Sequence, residues 1–256
     1  MKPSLVLPYH DPEGAMLPHL QACLPSLKAH FERAYICPPA STRQVVAITA
    51  FLEADDFFTI FPLERPAQVG EHFSYLYQCA AQAAQPDEIL HLAFMDRLSF
   101  AVESAHREQF FADVEALNPQ DLPLIFHRSP TAWATHPKNY ARLEGFVTRL
   151  GEDLFGKTLD YGWCHLVVRA AELCEVMPKV THPGISMVAE MVLHMQHHLQ
   201  TREVDWLAWE DPFHTGRNPA ELKAERENSA AEYEKRLDYC LPMVAELVRF
   251  AMKDKP

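Results

Sequence analysis

A chain of 256 residues, 48% hydrophobic and 23% charged, can bury a substantial core, which excludes disorder as a description of the whole. Its net charge of −12, from 35 acidic against 23 basic residues, works against nucleic acid and anionic lipid as partners. Any phosphate-bearing ligand would therefore need local arginines or a bridging divalent cation. No stretch approaches the ~20 apolar residues of an integral membrane segment, and the apolar run near Met1 is too short for a secretory leader. The six cysteines include no Cys-x-x-Cys pair, so reduced thiols in a cytoplasmic protein are expected.

Ser4–Leu7, a short apolar run stopped by Pro8, reads as a buried parallel strand. Leu17, Leu20, Leu24 and Leu27, three and four residues apart, predict a helix over about Met16–His30 with a kink at Pro25. Ala34–Cys37 follows as a second strand, and Thr42 is placed to cap a helix running to about Ala54. Phe57–Phe61, Glu88–Phe94 and Leu122–His127 read as further strands, separated by helices over Val69–Ala84 and Ser99–Leu117. Alternation at this pitch argues for right-handed crossovers and an α/β fold with one doubly wound, mostly parallel, Rossmann-like sheet. Ligands of such sheets sit at the carboxyl ends of the strands.

Beyond residue 128 helices dominate, over about Pro137–Leu150, Leu166–Cys174, Ile185–Leu199 and Pro219–Met252, the last kinked or split at Pro242. No linker or repeat interrupts the chain, so 1–256 is expected to be one domain with a helix-rich C-terminal part. The last helix carries an apolar stripe (Leu222, Tyr233, Leu237, Leu241, Val244, Val248) suited to packing on the domain or on a second subunit, which makes a homodimer possible.

The loop after the first strand offers Pro8, Tyr9, His10 and Asp11, where a ring can stack on a base and a carboxylate can accept from a ribose hydroxyl; a polar turn is the alternative. Neither Gly-x-Gly-x-x-Gly nor a P-loop occurs among only eight glycines. Strand four delivers Asp96 and Arg97 to the sheet edge: a lone Asp can ligate Mg2+ or Mn2+, and Arg97 can grip a diphosphate, or the two can pair as a helix cap. Strand five delivers Arg128, with His136 a short way on. His194, His197 and His198 share a helical face with Glu190, which would suit Zn2+ or simply a hydrated surface.

The order of LVLPYHDPEG, ILHLAFMDRLSFAVE, FHRSPTAWATHP with Glu144 downstream, GKTLDYGWC with Arg169-Ala170-Ala171, the helix around Glu190 and NPAELKAERENSAAEYEKRL resembles bacterial GT-A-like glycosyltransferases, of the nucleotide-diphospho-sugar transferase fold. The resemblance implies a nucleotide-binding half over 1–127 and an acceptor-side half over 128–256. It implies a nucleotide-sugar donor held by Pro8, Tyr9, His10, Asp11, Arg97, Arg128 and His136, a divalent cation at Asp96, and transfer to an unknown acceptor. Asp96 serves the leaving diphosphate, and Glu190 and Asp160 are the candidates for the base. Members of the group tend to carry an Asp-x-Asp-like tract at this strand end, where this chain has Phe94 in the first carboxylate position. A catalytically degenerate binding or scaffold protein is the alternative.

Overall fold

The computed structural model describes residues 2–253. Seven strands, β1 (Ser4–Pro8), β2 (Ala34–Cys37), β3 (Phe58–Ile60), β4 (Ile89–Ala93), β5 (Leu124–Arg128), β6 (His165–Arg169) and β7 (Gln200–Val204), form one sheet in the order β3-β2-β1-β4-β6-β5-β7. All run parallel except β6, which is antiparallel to both β4 and β5. The mostly parallel α/β sheet expected from the sequence is present. Strands four and five are not neighbours, however, because β6 lies between them. Since β6 runs backwards, the residues entering it arrive at the same sheet edge as the residues leaving β4 and β5.

The helices are α1 (Leu17–His30), α2 (Ala40–Arg43), α3 (Val46–Glu53), α4 (Val69–Ala83), α5 (Met95–Glu103), α6 (Arg107–Glu115), α7 (Pro130–Thr135), α8 (Lys138–Phe155), α9 (Ala170–Val176), α10 (Met187–Met195), α11 (Asp211–Thr215), α12 (Pro219–Asn228) and α13 (Ala230–Lys253). They cover both faces. Val6 points into one core with side chains of α4, α9, α10 and α13, whereas Leu5 and Leu7 point into the other with those of α1, α5 and α6, following the two-residue period of a strand. Among the described residues no helix is long and apolar enough to cross a membrane.

Several elements depart from the sequence reading. The helix expected over Leu166–Cys174 is strand β6 followed by α9; Val167 and Val168 pack well in a pleated sheet, and both are fully buried. Strand β7 was not anticipated, since the edge strand QTREV lacks apolar alternation. Ser99–Leu117 breaks where the Ser104 hydroxyl accepts from the His106 N–H, 3.2 Å. The long C-terminal helix divides at Ser229, while α13 continues through Pro242. Thr42 lies inside α2, and its hydroxyl accepts from the Asp11 N–H at 2.8 Å rather than capping a helix.

At the centre of the sheet His91 Nε2 and His165 Nδ1 lie 2.9 Å apart, enclosed by rings of Phe110, Phe126 and Trp206. Burial holds both imidazoles neutral, pushing His91 down to about 3.

Candidate functional site

The loops leaving β1, β2, β3 and β4 enclose a cleft of about 770 Å3. Pro8, Tyr9 and His10 form one wall and Pro39–Ser41 and Leu63–Ala67 another, with Val69, His72 and Phe73 of α4, Ile185, and Phe94–Asp96 completing it. Cleft shape depends on a close approach at Gly70, where a Cβ would fall 2.1 Å from the Gly184 carbonyl; beside it the Glu71 N–H donates to Pro183 O, 3.2 Å. That contact brings Ile185 against α4. Arg65 lies on the rim, its side chain 59% exposed and 3.5 Å from the Glu71 carboxylate, and Glu64 is held by Arg43 at 2.6 Å.

The opening loop is built around Asp11, which is 4% exposed. Its Oδ2 accepts from the Tyr9 hydroxyl and from the Met16 N–H, both at 3.0 Å. Tyr9 reaches the cleft wall, but its ring is 1% exposed, so the expected stacking platform is absent and Asp11 folds the loop instead of facing a ligand. His10 is exposed on the wall. His72 donates from Nε2 to Cys37 O at 2.7 Å, and burial lowers its proton affinity.

Asp96 sits in the first turn of α5 on the cleft floor, its Oδ1 accepting from the Arg97 N–H at 2.8 Å. Phe94, two residues earlier, packs its ring 5.3 Å from Phe73 and 5.8 Å from Trp163. Arg97 turns away from the cleft into an ion pair with buried Glu210.

Beyond Asp96 the ends of β4 and β5 and the entry to β6 share a buried polar cluster. Arg128 donates to Glu144 Oε2 at 3.2 Å and to Cys164 Sγ at 3.4 Å, lies 3.8 Å from Asp160, and stacks over Trp133 at 4.6 Å. Arg236 takes the other Glu144 oxygen at 2.7 Å. Burial pushes the Cys164 thiol up; Arg128 and Arg97 pull it down, and Asp160 and Asp96 push it further up. Four charges from three strand ends thus act on one sulfur. Asp160 is raised above the usual carboxylate range by burial, against the pull of Arg128. His136 donates from Nδ1 to Ala132 O at 3.0 Å; burial and the guanidiniums of Arg128, Arg97 and Arg236 hold it neutral, and its buried Nε2 has no partner.

Glu190, a candidate for the base, is not among the residues lining the cleft. At 1% exposure it accepts from the backbone N–H groups of Thr181 (2.8 Å) and His182 (2.9 Å) and from Arg249 (3.1 Å), so it clamps a turn. The histidine face also resolves into separate contacts: His198 pairs with Glu172 at 2.5 Å and His194 packs on Phe250.

Sequence reasoning missed Glu210 and His214, which follow the unforeseen β7. His214 donates from Nε2 to the Asp96 carbonyl at 2.9 Å, and its Nδ1 is buried without a partner. Arg236 was hidden in a charge run read as a hydrated face. Among the described residues no group of three His, Cys, Asp or Glu side chains is placed to hold a metal ion. The donor set fits only an ion that takes most of its shell from phosphate oxygens and water, with the Asp96 carboxylate as a single hard anchor.

This architecture is GT-A-like, the fold of nucleotide-diphospho-sugar transferases. Among solved structures the chain is similar to glucosyl-3-phosphoglycerate synthase from Mycobacterium tuberculosis in complex with Mn2+, uridine diphosphate and phosphoglyceric acid, at 12% identity over 98% of this chain and 78% of that chain, with a TM-score of 0.54. It is similar to the same enzyme with Mn2+, UDP-glucose and phosphoglyceric acid at a TM-score of 0.52, 12% identity, covering 98% and 79%. No protein-family model and no curated protein sequence matches the chain.

Proposed function

We propose that the protein is a glycosyltransferase that binds a nucleotide-diphosphate sugar in the cleft and passes the sugar to a hydroxyl-bearing acceptor beside the Arg97, Arg128 and His136 cluster. The observation that carries this reading is the placement of Asp96 on the floor of a cleft made by the loops leaving β1 to β4 of a GT-A-like sheet. In the similar structures this fold holds UDP or UDP-glucose with Mn2+.

The nucleoside lies against Pro8, His10 and Pro39–Ser41, and the diphosphate runs toward Arg65 and Asp96. A divalent cation held by Asp96 would neutralise the charge that develops on the leaving diphosphate. Arg65 contributes a cation of its own from the rim. On the acceptor side Asp160, whose burial raises its proton affinity, takes the proton of the attacking hydroxyl. Tyr9 and Asp11 keep the opening loop in shape, and neutral His136 offers Nε2 as an acceptor for a ligand hydroxyl. The six free cysteines suit a reducing, cytoplasmic setting.

Isothermal titration with UDP-, GDP- and ADP-glucose, with and without Mn2+, tests the reading. One donor should bind, more tightly with Mn2+, and Asp96→Ala should abolish the Mn2+ enhancement and slow donor hydrolysis 10- to 1000-fold. Absence of binding to any of the three overturns it. Donor binding with no hydrolysis or transfer would leave the scaffold reading that Phe94 raises.

A further inference from the structure

Helix α13 leaves a row of large apolar side chains in water. Tyr233, Leu237, Leu241, Val248 and Met252 are 38–70% exposed, with half-buried Val244 between them. Each step along the row is three or four residues, so the row follows one side of the helix over a length of roughly 30 Å. Single exposed apolar residues are ordinary on a monomer; five along one side of a helix, with Val244 reaching between them and the core, mark a contact surface.

The row is symmetric about its own midpoint, between Pro242 and Met243. Turned end for end, Tyr233 falls opposite Met252, Leu237 opposite Val248 and Leu241 opposite Val244. A second α13 laid antiparallel thus meets an apolar residue at every position, as the twofold interface of a homodimer requires.

We propose that the protein forms a homodimer through antiparallel pairing of α13. A segment of another protein would have no reason to match a row symmetric about its centre. With −12 on each chain, long-range repulsion opposes association, and salt should strengthen the dimer by screening it.

Sedimentation velocity from 1 to 100 µM, in low and 0.5 M salt, reads the oligomer directly. The wild-type chain should be dimeric and Leu241→Glu monomeric, while Val46→Glu, at a position 78% exposed on α3, should remain dimeric. Register is read separately in a Cys174→Ser background: Tyr233→Cys with Met252→Cys should form an interchain disulfide readily, and Tyr233→Cys alone should not. A wild-type monomer at 100 µM in 0.5 M salt overturns the proposal, as does a Leu241→Glu dimer or efficient cross-linking of Tyr233→Cys to itself. Circular dichroism of Leu241→Glu separates dissociation from unfolding, and should Leu241→Glu be unfolded, the cross-linking pattern decides alone.

Discussion

Glu144 carries two guanidiniums, one on each oxygen, in a place almost closed to water. Removing its charge leaves Arg128 and Arg236 buried with weaker compensation, and breaking a buried pair in this way costs about 3–5 kcal/mol. Glu144→Gln should therefore lower unfolding free energy by about that much in urea titrations; a loss under 1 kcal/mol would show that water or a rearranged Asp160 takes over. Asp96 was legible in the sequence because a carboxylate after a buried strand emerges at the sheet edge wherever the neighbouring strands lie. The partner of Arg97 and the second guanidinium on Glu144 were not legible, since Glu210 and Arg236 come from distant segments and only tertiary packing brings them in. Tyr9 and Asp11 show the converse: side chains of suitable chemistry in a suitable loop, used up on each other.

Two glycines show how element packing decides the sign of one substitution. In α4, Gly70→Ala drives a methyl into the Gly184 carbonyl, 2.1 Å away, and the backbone there has no flexible end to move. Destabilisation of about 1–3 kcal/mol is expected, together with weaker nucleotide binding, because α4 and Ile185 form adjoining parts of the cleft. In α8, the nearest atom to a Cβ on Gly145 is the Arg149 side chain at 3.7 Å, so Gly145→Ala gains helix propensity and should stabilise by about 0.5–1 kcal/mol. Thermal melts of the two variants should move in opposite directions. The early strands and helices were legible from apolar runs and period; β6 was not, because a short run of buried valines followed by alanines fits strand and helix alike until its neighbours are known.

For the molecule as a whole, the His91 and His165 pair sets an acid limit. The folded-state value of His91 is about 3 against 6.5 for an unperturbed imidazole, so between those values the unfolded chain binds a proton that the fold refuses. Stability is full above pH 6.5 and falls as pH drops toward 3, by about 1.4 kcal/mol per pH unit for each histidine held neutral. Urea titrations at pH 7, 6 and 5 should show this slope while most carboxylates remain ionised, and a flat profile would mean that the pair opens to water. The sheet and its cleft-bearing edge were legible at this scale from strand and helix alternation, whereas the reversal at β6, which adds Asp160 and Cys164 to that edge, leaves no local signature. Arg236 lies 92 residues after its partner Glu144, so a ribosome that has completed every strand still holds a nascent chain whose central carboxylate has only one guanidinium. Maturation of this sheet edge must then wait for translation of α13, and a stall before that point would expose a half-neutralised interior to chaperones and proteases.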